Sequence, residues 1–180
     1  NIGYIGRITY QKGLHKLIEA LGKVDIKYRV QLKVKVAGCF TDERYKKLIM
    51  ELIKKNNLES MVEFVGFVKD KRKFYSELSL LVVPSLLSWK EAFGLIIVES
   101  IINYTPVLAF ESGAIPEILD YGKYGFLISN EDVNLMVNKI EEIILNRQLL
   151  LSKIKYSYPE VIKKFSEFEF KNNYKKIYLQ

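Results

Sequence analysis

The chain has 180 residues, with 28 Lys and Arg against 21 Asp and Glu and a formal net charge of +7 at pH 7. That length suits one domain with a full core, and no apolar run approaches the roughly 20 residues of a membrane span. The single cysteine, Cys39, excludes an internal disulfide and fits a reducing compartment. The positive balance favours anionic partners: nucleotides, nucleic acid or an acidic membrane surface. The lysines, however, are scattered, eight of them in the pairs Lys46-Lys47, Lys54-Lys55, Lys163-Lys164 and Lys175-Lys176, the pattern of solvated helix faces.

In chain order, strands are expected at Ile2 to Gly6, Leu32 to Ala37, Val62 to Val65, Leu80 to Pro84, Val107 to Phe110 and Gly125 to Ile128. Several are continuous apolar runs, as strands buried on both faces should be. Helical patterns lie between them. Lys12-Gly13 opens one that runs through Leu14, Leu17, Ile18 and Leu21, and the lone histidine, His15, is expected on it as a partly exposed residue. From Thr41 to Asn56 the apolar stripe is Tyr45, Leu48, Ile49, Leu52 and Ile53, with Thr41 or Asp42 as cap. From Glu131 to Leu145 it is Met136, Val137, Ile140, Ile143 and Ile144. After Asn146 the pattern is helical to the last residues, with Pro159 expected in a first turn and Phe165, Phe168, Phe170, Tyr174 and Tyr178 making the tail aromatic. Alternating strands and helices imply a parallel sheet with helices on both faces.

The segment richest in chemistry is Glu91-Ala92-Phe93-Gly94-Leu95-Ile96-Ile97-Val98-Glu99. It follows a buried strand that Pro84 and Ser85 end, and Gly94 marks a helix start. A strand, a loop carrying an acid and a helix N-terminus together form a place where an α/β sheet binds an anion. Glu91 then lies in the loop and Glu99 about one turn into the helix. At the first strand end, Gly6-Arg7 and Lys12-Gly13 put a planar fork and a point charge where a diphosphate needs them. The alternative for Arg7 and Lys12 is a surface pair, and for Glu91 an ordinary acid at a helix N-terminus. The run Lys69 to Lys73 is expected in a loop that borders the cleft. Trp89 either stacks near a bound sugar or anchors its loop. Cys39 has no base in prospect and is taken as structural or incidental. The chain holds no Asp-x-Asp and no His/Cys cluster, so no protein-bound metal is expected.

Tyr4-Ile5-Gly6-Arg7, Lys12 to Ala20, Val62 to Val68, Pro84-Ser85, Glu91 to Glu99 and Gly113-Ala114-Ile115-Pro116-Glu117-Ile118 together resemble glycosyltransferase family 4, in its C-terminal, nucleotide-sugar-binding half. The resemblance covers nearly the whole chain, in the family's order and spacing. It implies a Rossmann-like parallel sheet, the C-terminal half of a GT-B fold, with residues 1–180 as one nucleotide-sugar-binding domain. The helices from about residue 147 are expected to reach toward an absent N-terminal domain. Asn1 opens directly on a strand without a methionine, in keeping with a piece of a longer protein.

The resemblance also implies roles. Arg7 and Lys12 neutralise the diphosphate, aided by the N–H groups of Phe93, Gly94 and Leu95. Glu91 holds hydroxyls of the transferred sugar, and Glu99 accepts from the two ribose hydroxyls. Gly6 lines the site at the first strand end, and Gly66, Phe67 and Val68 offer backbone groups to the base. The family often has glycine where this chain has Thr105 and Ser112, which puts the local loop shape in doubt. The implied activity is retaining transfer of a hexose from a UDP-sugar or GDP-sugar to a glycan or lipid-linked acceptor, in polysaccharide or glycoconjugate biosynthesis. The acceptor site comes from an N-terminal domain or subunit, so the isolated chain is expected to bind donor without transferring it. A non-catalytic nucleotide-sugar-binding subunit is the alternative. A nucleic-acid-binding domain needs clustered arginines and aromatic platforms, whereas Arg7, Arg29, Arg44, Arg72 and Arg147 are well spread. The expected location is cytoplasmic, with peripheral contact at the acidic inner face of the membrane allowed by the charge.

Overall fold

Successive side chains of a strand point to opposite faces, and here both faces are apolar. The computed structural model describes residues 1–166, 168 and 169. Its strands are β1 (Ile2–Ile5), β2 (Val34–Ala37), β3 (Val62–Gly66), β4 (Leu80–Val83), β5 (Val107–Phe110) and β6 (Phe126–Ile128). They form one sheet in the order β3-β2-β1-β4-β5-β6, every neighbouring pair parallel. The helices are α1 (Leu14–Lys23), α2 (Ile26–Arg29), α3 (Glu43–Lys55), α4 (Lys71–Ser76), α5 (Leu95–Ile102), α6 (Ile115–Ile118), α7 (Val133–Leu145) and α8 (Gln148–Lys164).

Two apolar cores follow from the strand alternation. On one face Tyr4, Val36, Val82, Leu108 and Phe126 meet α1, α3 and α7 through Leu17, Ile49 and Ile140. On the other, Ile5, Leu81, Val83, Val107 and Ala109 meet Tyr75 of α4, Ile97 and Ile101 of α5, Ile118 of α6 and Val161 of α8. Each fully buried side chain of this kind contributes about 1.5–3 kcal/mol over exposure. Aspartates set the helix starts: Asp42 accepts from Arg44 N–H at 2.8 Å, Asp70 from Lys73 N–H at 3.1 Å and Asp132 from Asn134 N–H at 2.7 Å.

The structure corrects several local expectations. Lys69 to Lys73 is not all loop: Asp70 caps α4, a helix of six residues. Lys12 does not open α1 but ends a 3-10 turn over Tyr10–Lys12, and Gly13 in the left-handed region makes the junction. Leu48 is exposed at the rim of the α3 stripe. Pro159 lies inside α8 rather than in a first turn. It removes one intrahelical donor, but Ile154, Ser157 and Val161 on either side are buried against the second core, and that packing carries the helix through. Of the tail aromatics, Phe165 packs edge-on against Phe93 with ring centroids 5.7 Å apart and Phe168 is exposed. Phe170, Tyr174 and Tyr178 lie outside the described residues.

Two glycines with the same backbone twist separate conformational cost from crowding. Gly13 has φ +70°, and a Cβ there would sit 1.8 Å from the Pro84 carbonyl oxygen; Gly66 has φ +69° with open space around it. The left-handed region costs an L-residue about 1–2 kcal/mol. Gly66→Ala is expected to lose about 1 kcal/mol and Gly13→Ala more than about 2 kcal/mol, measured by urea unfolding. Equal losses would show that the loop carrying Pro84 yields freely.

Candidate functional site

The strand order fixes where a ligand can sit. From β1 the chain runs outward through β2 to β3; from β4 it runs the other way through β5 to β6. The loops leaving the C-terminal ends of β1 and β4 therefore diverge, and the crevice between them is the switch point of a doubly wound sheet. Gly6, Arg7 and Lys12 stand on the first loop, and Pro84 to Gly94 form the second. Leu86 N–H donates to the Gln11 carbonyl at 2.9 Å, and the close approach at Gly13 brings the loops together. Tyr4 Oη, beneath them, donates to the Arg7 carbonyl at 3.0 Å.

Within the crevice Lys12 Nζ is hydrogen-bonded to Glu91 Oε2. The two side chains retain only 18% and 13% of their exposure, so this is a largely desolvated pair rather than a surface bridge. Ser85 Oγ donates to the same Glu91 oxygen at 3.1 Å. Trp89 sits on a 3-10 turn over Leu87–Trp89 with its ring centroid 5.7 Å from Lys12 Nζ. The main chain of Glu91 is also held: Ala114 N–H donates to its carbonyl at 2.8 Å. Ser112 Oγ, which donates to the Leu86 carbonyl at 2.7 Å, staples the same loop. Ser112 and Thr105 thus act through their hydroxyls, Thr105 Oγ1 donating to the Tyr75 carbonyl at 2.9 Å.

Gly94 caps α5 at φ 59° and ψ 48°. The nearest atom to a Cβ there is a flexible Ile97 terminus at 3.2 Å, so glycine is required here by the backbone twist more than by local crowding. The N–H groups of Phe93, Gly94 and Leu95 have no hydrogen-bond partner among the described residues. Those of Gly94 and Leu95 are orphan donors of the helix start and that of Phe93 lies just ahead of it, with the positive end of the helix dipole behind them.

Glu99 does not join the Lys12–Glu91 cluster through any hydrogen bond. Its oxygens accept from Lys71 Nζ at 2.8 and 3.0 Å and from Tyr75 Oη at 3.1 Å. Both partners come from α4, the helix that sequence reasoning missed. The cue that was available is Asp70 three residues ahead of Lys73, a helix-start signature. The Arg7 side chain is exposed and makes no ion pair among the described residues. Phe67 is exposed and Val68 half-buried just after the edge strand β3, beside the loop that leads to Lys71.

His15 is buried, not partly exposed. Tyr10 stacks on its ring at 4.5 Å, and Tyr45 Oη lies 3.0 Å from Nδ1 while accepting from the His15 N–H. Burial, then Lys16, lowers its pKa from 6.5 to about 4, and its Nε2 is buried without a partner among the described residues. Cys39 is exposed just beyond β2. Among the described residues no group of three or more His, Cys, Asp or Glu is placed to share a metal ion. No described helix is long and apolar enough to cross a membrane. A cavity of about 250 Å³ lies at the opposite, N-terminal ends of β1 and β4, lined by Ile2, Leu80, Ile140, Ile143 and Arg147 with no carboxylate; it is a seam between sheet and helices, remote from the acids.

A six-stranded, all-parallel, doubly wound sheet with this crevice is a nucleotide-binding architecture. Comparison with known proteins agrees. The chain matches the family described as Glycosyl transferases group 1 over residues 1–160, and it belongs to that family. It is 31% identical over 148 residues to an uncharacterized glycosyltransferase of Methanocaldococcus jannaschii, covering 81% of this chain and 38% of that protein. HepE of Anabaena, solved in complex with UDP and glucose, aligns with a TM-score of 0.87 at 24% identity, covering 98% of this chain and 47% of that one. TarM of Staphylococcus aureus, solved with fondaparinux, alpha-GlcNAc-glycerol and UDP, aligns with a TM-score of 0.82 at 27% identity, covering 96% and 34%. The chain thus spans between a third and a half of the length of these proteins.

The His15 environment gives a pH signature. As pH falls through 6.5 the unfolded chain takes up a proton that the fold refuses until about 4. Stability is therefore untouched by this group above 6.5 and falls between those values. His15→Phe keeps the stack on Tyr10 and removes the titration. Between about pH 7 and pH 5 the variant is expected to lose less stability than the unmodified protein in denaturant unfolding; parallel pH profiles would contradict the assignment.

Proposed function

We propose that residues 1–180 form the donor-binding half of a retaining, family 4 glycosyltransferase of GT-B fold, moving a hexose from a nucleotide-diphosphate sugar to a glycan or lipid-linked acceptor. The observation that carries this is the glycine-capped start of α5. It offers three N–H groups without protein partners among the described residues, at the switch point, with Lys12 across the crevice. Such a site suits a polyanion. UDP is the first nucleotide to test, because TarM was solved with it. The alternative of a non-catalytic subunit gains nothing from relatives named as glycosyltransferases.

On this reading the bond between the sugar's anomeric carbon and the diphosphate oxygen breaks, and charge builds on the leaving phosphate. Arg7, Lys12 and the α5 N-terminus stabilise that charge. The acceptor oxygen bonds to the anomeric carbon on the face the phosphate leaves and gives its proton to the departing phosphate oxygen, so configuration is retained. Glu91 accepts from sugar hydroxyls, Glu99 from ribose, and backbone groups of Gly6 and of Phe67 and Val68 border the phosphates and base. No protein-bound metal takes part, and chelation is expected to leave nucleotide affinity unchanged.

Bonds to a charged partner contribute about 1.5–3 kcal/mol, so Arg7→Ala and Lys12→Ala are each expected to weaken nucleoside-diphosphate binding by about 10- to 150-fold in calorimetry. Unchanged binding in both would remove them from the site. Glu99→Gln is expected to weaken ribonucleotide binding and to erase most of the preference over the 2′-deoxy analogue. Equal affinity of the unmodified protein for both sugars would count against Glu99 as the ribose acceptor. The acceptor groove is assigned to a further domain or subunit. Orientation of two reactants supplies on the order of 7–11 kcal/mol of a barrier, so residues 1–180 alone are expected to bind donor without sustained transfer. Turnover by the purified chain would overturn that assignment.

A further inference from the structure

Glu99 is gripped by two donors of opposite character. Lys71 is a half-exposed ammonium that spans both carboxylate oxygens. Tyr75 is a phenol whose residue has no exposed surface at all, so its ring is fixed by packing. Phe74 stands against it edge-on at 5.9 Å, and its main chain is pinned by buried Thr105 through the 2.9 Å bond to the Tyr75 carbonyl. The phenol has one proton to give and two acceptors in reach, Glu99 Oε2 at 3.1 Å and the Ile96 carbonyl at 3.4 Å. The nearer, charged oxygen wins. Burial, with Glu99 beside it, raises the Tyr75 pKa far above its ordinary value, so it remains a donor at any working pH.

We propose that Tyr75 is the positioning residue for Glu99: its hydroxyl holds Oε2 and thereby sets the direction in which the carboxylate faces an incoming ribose. The inference rests on the ribose role proposed for Glu99. A carboxylate has about four acceptor sites. Tyr75 occupies one from the protein side, and Lys71 covers sites on both oxygens from the side nearer solvent. A ribose diol displaces the lysine, whose flexible stem swings aside without backbone movement, while the phenol stays. Without the phenol the acid is free to follow Lys71, and its two oxygens no longer meet a diol together.

The test is calorimetry with UDP, GDP and ADP, followed by the tightest of these against its 2′-deoxy counterpart, for the unmodified chain, Tyr75→Phe, Lys71→Met and Glu99→Gln. Tyr75→Phe removes one oxygen and keeps the buried ring. The expected result is a ribose preference of about tenfold in the unmodified chain, reduced to less than about threefold in Tyr75→Phe and in Glu99→Gln, and kept in Lys71→Met. The ratio of two affinities is not moved by a general loss of stability, which weakens both ligands alike. A preference that survives Tyr75→Phe while Glu99→Gln abolishes it overturns the role of Tyr75 alone. A collapse in Lys71→Met with Tyr75→Phe unaffected reassigns the positioning to the lysine and also overturns it. Failure of every nucleotide to bind, or no ribose preference in the unmodified chain, removes the underlying reading of Glu99.

Discussion

The close approach of the β1 and β4 loops at Gly13 is the constraint on which the rest of the site depends. A parallel sheet that reverses its strand order opens a crevice whether or not anything binds there. What sets the shape of this crevice is the contact between its two loops. The Pro84 carbonyl fills the space where a Gly13 side chain would stand, and the Leu86 to Gln11 hydrogen bond locks the loops in register. Only at that separation does Lys12, on one loop, reach Glu91 on the other. The same logic holds one layer out, where a Cβ on Gly113 would lie 2.3 Å from the Glu91 carbonyl. Three loops are stacked, and glycine sits at two of the contacts.

Much of the fold was legible because of how the strands are buried. Leu80–Val83 and Val107–Phe110 are short, apolar on both sides and followed by turn residues, as central strands of a parallel sheet should be. The long helices α3 and α7 announced themselves by their stripes, and α3 also by its aspartate cap. α4 did not, because a helix of six residues with three basic ones shows no period. Pro159 misled because local propensity argued for a helix start, whereas the packing of Ile154 and Val161 on the sheet decided the matter. His15 misled because its burial comes from Tyr10, in a turn that folds back over it, and from Tyr45 of α3, and the pattern of α1 records neither.

The site was legible in its residue types and opaque in its pairings. An acid, a glycine and a second acid after a buried strand suffice to suggest an anion site at a helix start. Lys12 and Glu91, however, are 79 residues apart, and Lys71 and Glu99 are 28 apart. Their meeting depends on strand order, which a single sequence does not display. Ser85 stood out only as part of a strand-ending motif and Tyr75 was overlooked, for the same reason: a hydroxyl carries no charge pattern, and its importance appears only when the acid it faces is known.

The two acids share one plan. Each is bound by a hydroxyl from a buried residue, Ser85 at 1% and Tyr75 at 0% exposure, and by a lysine that is more accessible. On the proposed reading, the lysines of the free protein neutralise carboxylates that would otherwise repel an approaching diphosphate. An ammonium on a four-carbon stem can turn from carboxylate to phosphate without moving the backbone, whereas a buried hydroxyl cannot follow it. On the proposed reading, ligand entry is therefore an exchange of ion-pair partners rather than the creation of new charge contacts. Lys12 trades Glu91 for phosphate, Glu91 trades Lys12 for sugar hydroxyls, and Ser85 keeps the acid in place while the exchange occurs. The net gain in affinity is then smaller than the sum of the new bonds, because the old pair is lost at the same time, and selectivity rests on whether hydroxyls of the transferred sugar replace Lys12 at Glu91 and those of the ribose replace Lys71 at Glu99.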